Sequence, residues 1–285
     1  MFQPWMGQTL LVQKRGRLDH TYVAHGDPSN TNKRFGWSIA HRVWVPDEDP
    51  ESKSPGMWHV VFDTINCWDP ADFEDHIIDY DVPMGDIESM VKAFIPEDVS
   101  FDQFNVPATI GRLKKFVRES DLPKAVTVRE VSRTRPLNWR HAELFKAALN
   151  MGLVHAPMLL DEIDPDSGEP KVNYASSEAE LELKFLEEKN GAVVHPETGP
   201  VQTKDIADTI IECTVTLIGK QIAQFLGEEF TEAGLSGAAP TGTDPYRNST
   251  GAKSSAFSEA MRAGSRGVRP AQGAARSRGS GMRRR

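Results

Sequence analysis

A mixed α/β fold, one five-stranded sheet flanked by helices, is predicted for this 285-residue chain from three observations. Apolar residues alternate with period 2 in several short runs, and they recur with period 3.6 in longer ones. The runs follow one another as three strands, a helix, a strand, a helix, a strand and then helices, which is the order of a sheet covered by helices.

The first strand spans about Thr21 to Gly26 and leads into the polar turn DPSNTNKR, rich in turn-forming residues. The second is FGWSIAHRVWV, where Phe35, Trp37, Ile39, Val43 and Val45 share one parity. After a Pro/Asp/Glu/Ser loop, WHVVFDTI is the third, and three strands joined by turns are expected to form an antiparallel meander. Ile87, Met90, Val91, Phe94 and Ile95 fall on one helical face, and Pro96 stops that helix. DVSFD is the fourth strand, ending near Asp102. Pro107 suits the start of a helix that buries Ile110, Leu113, Phe116 and Val117, and KAVTVREV is the fifth strand, reached by a crossover. Three more helices are expected: about Asn138 to Asn150, SSEAELELKFLEEK, and about Thr203 to Gly227 with Ile206, Ile210, Cys213 and Leu217 as its buried stripe.

Composition narrows the class. Nowhere do eighteen apolar residues follow one another, and Leu10 to Val12 run straight into Lys14, Arg15 and Arg17, so neither a membrane span nor a secretory signal is expected. Cys67 and Cys213 are too few and too far apart for a disulfide framework or a zinc site, which fits a reducing, cytoplasmic setting. The net charge of −8 conceals an asymmetry: residues 233–285 carry ten Lys or Arg against Asp244 and Glu259, leaving −16 upstream. That Arg/Gly/Ala-rich tail has too few apolar residues to offset the entropy of ordering and is expected to be disordered. The folded part is assigned to residues 20–230, after a lead-in of residues 1–19.

Carboxylates stand on three separate elements: Asp27 just after the first strand, Asp102 at the end of the fourth, and Asp205 with Asp208 near the start of the last helix. Sites in open α/β sheets form beyond the carboxyl ends of strands, so Asp27 and Asp102 meet if strands one and four are neighbours. Carboxylates within roughly 4 Å of one another repel by about 1 to 4 kcal/mol per pair, and such a cluster requires cations. Hard oxygen ligands suit Mg²⁺ or Mn²⁺, and two ions about 3.5 to 4 Å apart can clamp an in-line phosphodiester displacement. Each aspartate taken singly has a structural reading, as a turn former or as a favourable charge at a helix start.

Four stretches in order resemble the nuclease half of the tailed-phage large terminase subunits, of the ribonuclease-H-like superfamily: YVAHGDPSNTNKRFGWSIAHRV, VFDTINCWDP, VSFDQFN and GAVVHPETGPVQTKDIADTIIECTVTLIG. The resemblance spans roughly Tyr22 to Gly219. It implies a ribonuclease-H-like fold and a metal-dependent DNA endonuclease that cuts concatemeric phage DNA during packaging in the host cytoplasm. Asp27 and Asp102 match the first two metal ligands, and Asp205, or Asp208 three residues on along the same helix face, matches the third. Two ions of Mg²⁺ or Mn²⁺ are implied, with double-stranded DNA as substrate and with an ATPase domain or subunit, the small terminase subunit and the portal protein as partners. A whole large terminase has an ATPase half ahead of this region, for which this chain has no counterpart, and residues 1–19 then read as the remnant of a linker. Gly251-Ala252-Lys253-Ser254 lacks the spacing and the preceding strand of a phosphate-binding loop. Thr209 stands where the family commonly has alanine.

Other residues have a functional and a plainer reading. His25 shares a strand face with Asp27 and is either an auxiliary site residue or a hydrogen-bonded structural one. Glu88, on the first helix, is a candidate fourth ligand. Asp63 is expected to be a solvent-exposed acid at a strand end. Lys33 with Arg34, and Lys114 with Lys115, are candidate contacts to DNA phosphates or else solvated charges. The acidic domain is an awkward partner for DNA, and the basic tail is a candidate tether. Two competing readings are a non-catalytic module docking onto the portal or an ATPase, and a Holliday-junction resolvase on the same fold.

Overall fold

The structure, a computed structural model, describes residues 2–29, 33–47, 55–102, 106–132, 134–196, 198, 200–201 and 203–228. The basic tail of residues 233–285, with the stretch Gly251 to Ser254, therefore lies outside the described residues.

The elements in chain order are β1 (Leu10–Leu11), β2 (Tyr22–Asp27), β3 (Phe35–Pro46), β4 (Gly56–Trp68), a 3-10 turn (Pro70–Asp72), α1 (Asp81–Phe94), β5 (Asp98–Asp102), α2 (Val106–Glu119), β6 (Thr127–Val131), α3 (Arg135–Asn150), β7 (Val154–His155), β8 (Pro157–Ile163), β9 (Pro170–Val172), α4 (Tyr174–Lys184), β10 (Glu187–Lys189), β11 (Ala192–Val194) and α5 (Asp205–Phe225). The main sheet has the order β6-β5-β2-β3-β4-β7. β2, β3 and β4 form the antiparallel meander, while β5 and β6 run parallel to β2 on its other side. The expected five strands gain a sixth, because β7 adds parallel to the outer edge of β4. Its two residues are too few to show a period in sequence.

Strand parity assigns each face its core. Tyr22, Ala24, Trp37, Ile39, Val99 and Phe101 pack with Ile87 and Val91 of α1 and Leu113 of α2. Val23, Ala40, Val60 and Phe62 pack on the opposite face with α3, α4 and α5. α5 is the central helix of that second layer, buried nearly all round rather than along the one stripe predicted, since α3 and α4 also cover it.

Two expectations are corrected. The helix predicted over SSEAELELKFLEEK ends at Lys184, and Glu187–Lys189 instead pairs antiparallel with Ala192–Val194 across Asn190 and Gly191, both at positive φ. Asp63 is buried, not exposed: a bulge shifts the β3–β4 register between Ile39 and Ala40, and the carboxylate meets His41 Nδ1 at 2.5 Å. The residues before Tyr22 are folded onto the domain, with β1 parallel to β8 and the Gly16 N–H donating to the Ala93 carbonyl at 3.0 Å.

Candidate metal centre at the strand ends

β2 and β5 are direct neighbours, with Gly26 opposite Phe101, so the next residue of each strand, Asp27 and Asp102, ends its strand side by side. Both share parity with the residues on the α5 side of the sheet: Val23 belongs to the same core as Ile206 and Ile210, whereas Val99 and Phe101 belong to the core of the other layer. The first turn of α5 completes the arrangement. Gly36 is paired with Asp27 across the β2–β3 ladder, and a Cβ built on Gly36 would stand 2.5 Å from the Asp205 carbonyl oxygen. The helix start therefore lies directly on the strand position beside Asp27, and only glycine permits that approach.

Asp205 and Asp208 are nearly buried, at 4% and 6% exposure. Burial pushes the Asp27 carboxyl well above its usual range, and Asp208, Asp205 and Asp102 push it the same way while Lys204 opposes them. Burial is also the first cause that raises Asp205, to about 7, with Glu182 and Asp208 adding and Lys33 and Lys204 opposing. The four predicted acids thus belong to one electrostatic cluster. Among the described residues, no three carboxylate, imidazole or thiol side chains are gathered closely enough to hold an ion as they stand. The donor set still suits a hard divalent cation, because its groups are all carboxylate oxygens and Asp205 Oδ2 is buried with no hydrogen-bond partner.

The other candidates take the following places. His25 is fully buried, its Nδ1 2.8 Å from the Ser100 hydroxyl of the neighbouring strand. Glu88 accepts from Arg112 Nε at 2.7 Å, in an ion pair between α1 and α2. Arg34 is held inside the fold, donating to Asp69 at 2.9 Å, to Glu178 at 2.7 Å and to the Tyr174 hydroxyl at 3.1 Å. Lys33, Lys114 and Lys115 are exposed, and the charge of Lys33 reaches Asp205.

Three residues of the site were not singled out from the sequence. Glu182 of α4, 1% exposed, accepts from the N–H groups of Ile206 and Ala207 at 2.9 and 2.8 Å and from the Thr203 hydroxyl at 2.5 Å. It caps the helix that carries Asp205 and Asp208, in place of a local cap. Lys204, just before that helix, places its ammonium on Asp208 Oδ2. Tyr80 lies within the field of Asp27, and its buried hydroxyl has no hydrogen-bond partner. Lys204 stands inside the KDIAD stretch and was visible there, whereas Glu182 is one acid among many in ELELKFLEEK. Thr209, the departure from the family pattern, bonds the Ser38 hydroxyl of β3 at 2.6 Å and so ties α5 to the sheet.

A meander followed by two parallel strands beside its first strand, with carboxylates at the ends of the first and fourth of these strands and on α5, defines a mixed α/β protein with an acidic cluster at its strand ends. Its fold is similar to those of phage large terminase nucleases. The large terminase nuclease from thermophilic phage G20c is 11% identical with a TM-score of 0.45, covering 73% of this chain and 94% of that one, and has also been solved with bound magnesium. The HK97 bacteriophage large terminase is 13% identical with a TM-score of 0.42, over 70% of this chain and 40% of that one. Thermus thermophilus RuvC is 12% identical with a TM-score of 0.29, over 73% and 97%. No family model matches the sequence, and no curated protein matches it.

Proposed function

We propose that this chain is a divalent-cation-dependent, largely sequence-independent DNA endonuclease of a phage packaging terminase, hydrolysing phosphodiester bonds of concatemeric genomic DNA. The observation that carries this reading is the convergence of Asp27 and Asp102, on adjacent strand ends, with the capped helix start that bears Asp205 and Asp208. Asp27, Asp102 and Asp205 would hold the cations, with Asp208 as the alternative third ligand. Mg²⁺ or Mn²⁺ held there, as two ions, would supply Lewis-acid activation of water and stabilisation of the departing oxygen. The chain's own part is to fix the carboxylates on rigid elements: two strand ends held by the sheet, and a helix held by Glu182 and by the Thr209–Ser38 bond. Lys33, exposed beside the cluster, and Lys114 and Lys115, exposed on α2, are suited to DNA phosphates. Arg34 is suited instead to bracing the site, since its donors are directed at Asp69, Glu178 and Tyr174.

The implied partners are double-stranded DNA, an ATPase domain or subunit, the small terminase subunit and the portal protein. Among the described residues no helix is long and apolar enough to cross a membrane. Incubation of the chain with linear duplex, supercoiled plasmid and a synthetic four-way junction, each with EDTA, Mg²⁺ or Mn²⁺, tests the reading. Metal-dependent cutting of plain duplex is expected. Cutting confined to the junction would replace it with a resolvase, and no cutting with any metal would favour a non-catalytic docking module.

A further inference from the structure

Lys204 is an odd residue for the place it occupies. It is the capping residue immediately before α5, where the helix dipole disfavours a cation, and an ammonium offers no acceptor to the unsatisfied N–H groups. Glu182, from another helix, supplies that cap instead. What the lysine meets is the acid cluster: its Nζ contacts Asp208 Oδ2, the side chain is only 20% exposed, and its charge also acts on Asp27 and Asp205. Its ammonium is thus in direct contact with the cluster, whereas Lys33 is exposed and acts on Asp205 through its charge.

We propose that Lys204 is a built-in counter-cation, whose ammonium holds the acid cluster together in the metal-free chain and is driven off Asp208 when a divalent cation binds. The inference rests on the nuclease reading only in taking the cluster to be a cation site. Two cations that satisfy the same carboxylates oppose one another by linkage, so removing one strengthens binding of the other. A carboxylate cluster without a cation is self-repelling, and the lysine lets α5 dock before metal arrives.

The test compares wild type with Lys204→Met, which keeps the stem and loses the charge, by calorimetric titration with Mn²⁺ and by melting in EDTA and in saturating Mn²⁺. The variant is expected to bind Mn²⁺ about tenfold more tightly or better, to melt lower than wild type in EDTA and to recover most of the difference in Mn²⁺. Equal or weaker Mn²⁺ binding by a folded variant overturns the proposal. If the variant does not fold, acylation of wild-type lysines by an amine-reactive ester, read by mass spectrometry, decides. Lys204 is then expected to react several-fold faster with saturating Mg²⁺ than with EDTA, and an unchanged rate overturns the proposal. Mn²⁺ binding with Lys204 unaffected removes this inference and leaves the nuclease reading standing, whereas no Mn²⁺ binding by wild type removes both.

Discussion

Asp205 links the chemistry of the site to the stability of the chain. Its pKa is raised to about 7, first by burial, so in the metal-free protein the folded state holds a proton that the unfolded state releases near 4. Stability from this group is therefore fully present below about pH 4 and is lost as pH rises toward 7. Asp205→Asn should remove that loss. In EDTA at pH 8 the variant should be more stable than wild type by on the order of 1 to 3 kcal/mol, with the difference vanishing near pH 4, as read by urea denaturation at the two pH values. Gly36→Ala would put a Cβ 2.5 Å from the Asp205 carbonyl oxygen, so backbone must move. A cost of about 1 to 3 kcal/mol is expected, together with a loss of Mn²⁺ affinity beyond that of a substitution equally destabilising elsewhere. That Asp27 and Asp102 end their strands was legible in the sequence, whereas their candidacy as ligands came from the motifs around them. Glu182 was not legible, because a buried acid that caps a helix from 24 residues upstream looks locally like any solvated acid of a helix. Asp63 was expected at an exposed strand end, and its burial depends on the β3–β4 bulge and on His41 of the neighbouring strand, neither of which has a local signal.

α5 carries the centre and is held at its start by side chains from outside itself. Glu182 accepts two of its first N–H groups and the Thr203 hydroxyl, and Arg34 lies 3.8 Å from the same carboxylate while bonding Glu178 and Asp69. Glu182→Ala leaves buried donors unpaired and should cost about 2 to 4 kcal/mol, measured by chemical denaturation. Glu182→Gln, which keeps an acceptor, should recover part of it. If both variants are as stable as wild type, the cap does not hold the helix. The five long helices and the five main strands were readable from their periods, because each is long enough to repeat one. The two- and three-residue strands β1, β7, β9, β10 and β11 were not, nor was β8, whose PMLLDEI does not alternate. Their pairing depends on residues more than a hundred positions away in the case of β1 with β8, and such tertiary pairing leaves no local signal. For α5 the sequence underestimated burial, since one apolar stripe does not reveal that α3 and α4 cover the rest, including Glu212, which meets His141 at 3.0 Å.

The whole molecule sets an acidic domain against a basic tail, with −16 upstream of residue 233 and +8 after it. Phosphate neutralisation governs sequence-independent DNA affinity, so deleting residues 233–285 should weaken duplex binding and flatten the dependence of log K on log salt by several units. An unchanged slope would place the DNA contacts on the domain alone. The sheet order could be only half anticipated: the meander and the crossover were visible, but the adjacency of β2 and β5, which brings Asp27 beside Asp102, depends on packing of the two helical layers rather than on any local pattern. On the function proposed, these neighbouring strand ends form a metal-dependent centre for DNA cleavage. Plasmid cleavage by purified chain in EDTA, Mg²⁺ and Mn²⁺, with Asp102→Ala alongside, tests it most directly. Cutting that requires metal and falls at least about a hundredfold in the variant is the predicted result. Undiminished metal-dependent cutting by Asp102→Ala would contradict it.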